Sequence, residues 1–405
     1  MLALLFNERI LKMTEVRKIK PKHRTKGYED SYLGGWDKNG VIYSRLFSIA
    51  EDKVSTYVSG SDHELVRTII KSVKEISGGR VPEQGDFLPN GFEDEEARIL
   101  CDSDLLRYVL YRYRYNIFPL IKELGDYPPC VQIEPTSVCN FRCVMCYQVD
   151  KSFSDKSHGH MGMMELDLYK KVIDELEGNV EAISLASRGE PLLHPQIKDM
   201  LAYTGQKFLG FKLNTNASLL TEDMCHSILQ SGLKTLVFSI DAADKETYEK
   251  IRVNGKFDVI DRNVNRFDKI KREEYSDSTL QTKVSGVMLS KADQSLNEMV
   301  VFWKDRVDDV AFVHYNPWES AYANEVNDLI VPCTELWRRL FVWQDGRVNP
   351  CDYDYKTTIF SEQQPNALNN TIKEIWKSPV YEELRKKHLN SQRVTVEPCK
   401  RCVSS

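Results

Sequence analysis

Three cysteines within eight residues constrain this chain more than any other feature: Cys139-Asn-Phe-Arg-Cys143-Val-Met-Cys146-Tyr147. The C-x3-C-x2-C spacing lies on a short loop directly after an apolar strand candidate, Val131–Glu134. Three thiolates on one such loop can hold three corners of a cubane iron–sulfur cluster. The fourth iron then stays open to a ligand that the protein does not supply. A structural zinc loop is the alternative. Zinc sites are usually closed by four ligands, often two C-x2-C or Cys/His pairs, and no fourth ligand lies nearby in the sequence.

The rest of the chain from about residue 130 alternates strand and helix. Val131–Glu134, Ala182–Ala186, Gly210–Thr215, Thr235–Asp241, Lys283–Leu289 and Asp309–Tyr315 are short apolar runs, read as strands buried on both faces. Amphipathic stretches separate them: Glu165–Leu176, Thr221–Leu233, Asp258–Lys271 and Leu296–Val307. Thr221-Glu-Asp-Met has the form of a helix start, and Gly232 stands where that helix should end. Six such units imply an α/β fold with a parallel sheet. Ligands of parallel sheets gather at the carboxyl ends of the strands. Four polar motifs fall at such ends: the cysteine loop, Gly189-Glu190-Pro191, Asn214-Thr-Asn216 and Ser239-Ile-Asp241.

Together the cysteine loop and these strand-end motifs resemble the radical S-adenosylmethionine (SAM) superfamily. The resemblance implies a partial (β/α)6 TIM-like barrel. It also implies a [4Fe-4S] cluster on Cys139, Cys143 and Cys146 whose open iron binds the amino and carboxylate groups of SAM. One electron, from an external donor such as flavodoxin or ferredoxin, would then yield methionine and a 5'-deoxyadenosyl radical. That radical removes a hydrogen atom from a substrate C–H bond. Gly189-Glu190 resembles the family's Gly-Gly-Glu segment, which holds the SAM amino group; Arg188 replaces the first glycine. Ser187, Asn214, Asn216, Ser239 and Asp241 resemble the polar residues that contact SAM. Met145 and Tyr147, flanking the last cysteine, complete the expected SAM-binding set, with Met145 as an apolar neighbour of adenine.

A second constellation lies at the other end: Cys333, Cys351, and a C-x2-C pair, Cys399 and Cys402. Trp343-Gln-Asp-Gly346-Arg-Val reads as a tight hairpin with Asp-Gly at its turn, followed by a helix over Ile372–Asn390. This resembles the SPASM and twitch extensions of radical SAM enzymes. Four cysteines fit one auxiliary [4Fe-4S] cluster with every iron held by protein; tetrahedral zinc is the alternative. The implied division is residues 1–125 as a mostly helical extension, 126–320 as the barrel and 321–405 as the SPASM/twitch domain.

The 405 residues are 41 % apolar and 28 % charged, with net charge −5 and no long single-sign block, which points away from a nucleic-acid partner. No apolar run approaches a membrane span. Met1–Phe6 is too short for a signal-peptide core, so a cytoplasmic, reducing location is expected. Ten cysteines there speak for metal or catalysis rather than disulfides. In the first region, Leu65–Ile76 and Asp94–Leu124 read as helical around a Gly/Pro-containing linker, Gly78–Gly91. Tyr and Arg interleave with Leu and Ile over Leu105–Ile121, read as a helix on the outside of the barrel with snorkelling arginines. Cys225 and Cys130 read as buried structural thiols. His194, His314 and Tyr315 are candidate acids or bases, and Trp318 and Glu319 candidate lining of a substrate cavity.

The substrate expected from the resemblance is a sugar- or aminocyclitol-like small molecule that is oxidised, epimerised or dehydrated. A peptide-modifying maturase is the alternative. A zinc-stabilised binding protein without catalysis is the alternative of another class.

Overall fold

The computed structural model describes residues 36–49, 54, 58, 60, 62–289 and 294–403. The expectations for Met1–Phe6 fall outside them. Six strands follow the predicted positions closely: β1 Cys130–Ile133, β2 Ala182–Leu185, β3 Gly210–Thr215, β4 Thr235–Ser239, β5 Gln281–Met288 and β6 Asp309–His314. Two more come from the C-terminal region, β7 Arg339–Val342 and β8 Val348–Asn349. The sheet order is β6-β5-β4-β3-β2-β1-β7-β8. Strands β1 to β6 pair parallel with their chain neighbours, as in a partial barrel. The open edge at β1 is taken by β7, also parallel, which β8 follows as the antiparallel half of the hairpin. Gly346 makes the turn at φ +81, with its N–H bonded to the Trp343 carbonyl at 2.9 Å. The C-terminal region therefore extends the barrel's own sheet.

The strands are not apolar on both faces, which corrects the sequence reading. Ile133, Ile183, Leu185, Leu213, Leu236, Phe238, Val284, Val310 and Phe312 pack into the main core with the helices. The opposite face carries Gln132, Ser184, Lys212, Asn214, Thr235, Ser239, Lys283 and Asp309; paired strands put Ser184, Lys212 and Thr235 in one row. A half-open barrel leaves that inner face room for polar groups and ligand, so the alternation is period two after all.

Local chemistry sets the helix ends. Thr221 Oγ1 accepts the Met224 N–H at 3.2 Å, and Glu222 and Asp223 favour the positive end of the helix Glu222–Gln230. Gly232, at φ +77, follows it. The expected helix over Ile372–Asn390 is two helices, Ile372–Trp376 and Pro379–Leu389. Pro379 cannot donate into a continuing helix and starts a new one instead.

The helices Val41–Ser48, Asp62–Ser77, Gly91–Arg98 and Asp102–Asn116 build a second core, which also takes in Ala182 and borders Cys130 and Leu209. Those residues start β1 and β2 and precede β3. The helices thus cover the amino ends of the strands, opposite the cysteine loop, and not the outer wall as expected. Their arginines do not snorkel either. Arg107 reaches Glu181 at 2.9 and 2.7 Å, Arg112 pairs with the buried Glu93, and Arg114 bonds Asp62 at 2.5 Å. The half-buried Glu96 accepts from Tyr108 and, at 3.2 Å, from Thr235 at the start of β4; desolvation raises its pKa.

Candidate cluster sites and cofactor pocket

The loop with Cys139, Cys143 and Cys146 is clamped by backbone bonds to the segment after the helix Lys245–Ile251: Arg142 N–H to Val253 O (2.9 Å) and Val144 N–H to Ile251 O (3.0 Å). The Cys146 N–H closes the loop on the Cys143 carbonyl at 3.0 Å. Burial is the main force that raises all three thiol pKa values, Cys139 to about 12, and Cys143 adds to the rise at Cys139 and Cys146. Three soft donors gathered out of water, where their anions are disfavoured alone, suit a cationic iron–sulfur centre. Arg252 opposes the trend at Cys143: its guanidinium lies 3.6 Å from that Sγ and its Nε donates to Asp241. Asp241 is fully buried and also accepts the Val287 N–H at 2.7 Å. The ends of β4 and β5 are thereby joined to the cysteine loop.

The β2 motif is wedged against the same loop. A Cβ on Gly189 would stand 2.2 Å from the Thr136 carbonyl oxygen and 2.5 Å from that of Val138, so only glycine fits. The Glu190 carboxylate accepts from Leu192 N–H (3.1 Å), Thr215 Oγ1 (2.7 Å) and Asn216 N–H (2.7 Å). Asn216 donates to Asn140 Oδ1 at 2.9 Å, within the cysteine loop. Glu190, Asn216 and Asp241 therefore already serve the scaffold. Asn214 Oδ1 and Ser187 Oγ differ: each is buried with no hydrogen-bond partner among the described residues, and buried polar atoms rarely stay so. An amino or hydroxyl group bound among these strand ends would satisfy them. Tyr147 donates to the Ser187 carbonyl at 2.8 Å. Met145 is buried in the main core, and Ser239 is half-buried at the end of β4.

Cys351 follows β8, and Cys399 and Cys402 flank a single helical turn. Burial raises the pKa of Cys351 and Cys399, and Cys333 is pushed up to about 11; nearby thiols of the set add to the effect. The four thiols thus stand together. Arg393, 1 % exposed, holds the group from within by donating to the carbonyls of Cys399 (3.2 Å), Cys402 (2.8 Å) and Val331 (3.2 Å). His388 Nδ1 accepts the Cys333 N–H at 3.2 Å. Among the described residues neither cysteine set converges closely enough for a single metal ion, which a cluster of several irons does not require.

Between the two sets lies a small aromatic core of Tyr147, Phe153, Tyr353 and Tyr355, bordered by Cys146, Cys351 and Trp318 and including Cys402. Tyr147 lies 5.0 Å from Tyr355 and 6.2 Å from Trp318, ring to ring. Tyr315 donates to Glu319 beside it. His194 is elsewhere and occupied: its Nε2 bonds the Met164 carbonyl at 2.9 Å and its Nδ1 accepts the Gln196 N–H at 3.1 Å. Cys225 is fully buried in the main core. Arg252, Arg393 and the Glu134–Arg188 pair were missed in the sequence, because buried cations with distant partners leave no local pattern.

Comparison with known proteins agrees with this arrangement. Residues 133–281 match the family model for the radical SAM superfamily, and residues 333–403 match that of the SPASM iron–sulfur cluster-binding domain. The chain is 32 % identical over 111 residues to the tungsten-containing aldehyde ferredoxin oxidoreductase cofactor-modifying protein of Pyrococcus furiosus, covering 27 % of this chain and 30 % of that protein. It is 28 % identical over 134 residues to mycofactocin maturase MftC of Mycobacterium tuberculosis, covering 33 % of each. The chain thus spans about a third of the length of the curated relatives it matches. Its fold is similar to Streptococcus suis SuiB bound to the precursor peptide SuiA, at 15 % identity and TM-score 0.52, over 92 % of this chain and 93 % of that one. The chain belongs to the radical SAM superfamily and carries a SPASM domain.

Proposed function

We propose that the chain is a radical SAM enzyme with two cluster sites: Cys139, Cys143 and Cys146 hold the SAM-binding cluster, and Cys333, Cys351, Cys399 and Cys402 hold the auxiliary one. The observation that carries the reading is the three-thiol loop clamped beside two buried, unpartnered polar atoms, Ser187 Oγ and Asn214 Oδ1. A [4Fe-4S] cluster with SAM at that loop supplies one-electron cleavage of SAM and hydrogen-atom abstraction. The protein's own residues position and shield. Gly189 admits the β2 turn against the loop, Glu190 locks that turn to the end of β3, and Arg252 brings positive charge to Cys143. Four protein thiols leave the auxiliary centre no open position, which suits electron transfer or structure rather than substrate ligation.

For the substrate, a peptide is the reading favoured over the sugar-like molecule. Its support is the likeness in fold, over 92 % of this chain, to a protein solved with a precursor peptide. The test is anaerobic turnover with SAM and reductant, comparing a panel of short candidate precursor peptides with aminocyclitols. Consumption of SAM with a mass change in a peptide supports the reading; turnover of an aminocyclitol alone overturns it.

A further inference from the structure

Arg188 stands where the family motif resembled by this turn has a glycine, and its surroundings give it a task of its own. Its side chain is fully buried against Glu134, itself 1 % exposed. Arg188 Nε donates to Glu134 Oε2 at 2.7 Å and Nη2 to Oε1 at 2.6 Å, a two-pronged pair. The Arg188 backbone N–H reaches the same carboxylate at 3.2 Å. The remaining contacts come from the C-terminal region. Nη1 donates to the Tyr355 carbonyl at 2.8 Å, the guanidinium stacks 4.1 Å from the Trp343 ring centre, and Gln344 N–H donates to Glu134 Oε1 at 3.2 Å. Trp343 opens the turn between β7 and β8, and Tyr355 follows Cys351 on the next segment.

The turn these contacts brace is strained. Ser187 has φ +128, a region that residues with a side chain seldom adopt and that persists only where the surroundings enforce it. Gln148 Nε2 bonds the Arg188 carbonyl at 2.5 Å, and Tyr147 OH the Ser187 carbonyl at 2.8 Å. Ser187 Oγ is one of the two unpartnered atoms of the cofactor site. The conformation of the SAM-side turn is thus set jointly by the cysteine-triad loop and by the segment that carries Cys351.

We propose that Arg188, through Glu134, is a positioning residue that makes SAM binding at the triad depend on the folded, cluster-loaded C-terminal region. The proposal rests on the triad being the SAM-binding cluster site. Removing one member of a buried ion pair strands the other charge, whereas replacing both with apolar side chains is often tolerated. The test therefore uses the full-length double variant Glu134→Met/Arg188→Met, a Cys351→Ala/Cys399→Ala variant lacking the auxiliary cluster, and their combination. Each is reconstituted anaerobically, with SAM affinity measured by equilibrium dialysis and by the SAM-induced change in the EPR signal of the reduced triad cluster.

The expected result is a Kd for SAM raised at least tenfold in each variant while triad iron is retained. The losses should fail to add in the combination, because both act through one chain of contacts. Wild-type affinity in the double variant, or fully additive losses, would overturn the proposal. A merely structural role would lower the melting temperature and leave the Kd unchanged. If the double variant does not load iron, Arg188→Lys decides: loss of the fork should weaken SAM binding with the charge kept, and wild-type affinity overturns the proposal. No SAM effect on the wild-type cluster signal would instead sink the functional reading itself, and this inference with it.

Discussion

The first cysteine set lies on one loop, from Cys139 to Cys146; the second is drawn from three segments that meet only in the fold. The two are also neutralised differently. Beside the triad, Arg252 is matched by the buried carboxylate of Asp241 and approaches one sulfur. Within the second set, Arg393 spends its donors on three carbonyls. The triad has unpartnered polar atoms nearby, at Ser187 and Asn214; the second set supplies four thiols of its own. On the proposed reading, one arrangement is open to a ligand and short-range, the other closed and long-range. The difference teaches that the same thiol chemistry would then take in a ligand or exclude one by what the surrounding shell leaves unsatisfied.

The largest expected effect separates the sets by activity. Cys139→Ala, Cys143→Ala or Cys146→Ala should reduce 5'-deoxyadenosine formation to background. Cys351→Ala, at saturating SAM, should keep cleavage within about tenfold of the parent. Product chromatography decides, and equal losses from both sets would erase the distinction. Next comes the charge balance at the triad. Asp241→Ala strands a buried guanidinium and should cost about 3–5 kcal/mol of stability, read by denaturant unfolding. A cost under about 1 kcal/mol would mean that Arg252 does not need its partner.

A smaller effect is expected from Gly189→Ala, whose Cβ would meet the Thr136 and Val138 carbonyls. Overpacking of this kind costs about 1–3 kcal/mol, and the displaced turn should weaken SAM binding more than tenfold in equilibrium dialysis. The smallest concerns the aromatic zone between the sets. Burial, with the Arg188 charge second, pushes the His160 pKa down from 6.5 to about 4. The unfolded chain then takes up this proton first, so His160's contribution to stability is complete above about pH 6.5 and is lost as pH falls towards 4. His160→Gln should flatten that part of the stability–pH curve; an unchanged curve would show that the imidazole titrates normally.

Much of the architecture was legible in sequence because it is local. β3 runs over Gly210–Thr215 as read, the Asp345-Gly346 turn joins β7 and β8, and Thr221 caps its helix. The strand-end placement of the cysteine loop, Gly189-Glu190, Asn214 and Asp241 was equally plain. What escaped is non-local. Nothing in Arg339–Val342 announces that it pairs parallel with β1. Nothing in Asp94–Leu124 tells the amino ends of a barrel from its outer wall. The polar inner positions of the strands were hidden by apolar neighbours facing the helices. Glu190, Asn216 and Asp241 look like ligand contacts in sequence, yet each has protein partners that only the fold brings within reach. Arg188 shows the same limit from the other side: as a lost glycine it reads as a defect, and its compensation lies in Glu134, Trp343 and Tyr355.

The central claim, two clusters of which one is open to SAM, is tested most directly by iron and sulfide content after anaerobic reconstitution, with low-temperature EPR of the reduced protein with and without SAM. The account predicts about eight irons per chain and one cluster signal that changes when SAM is added. About four irons with no response to SAM, or zinc in place of iron, would contradict it.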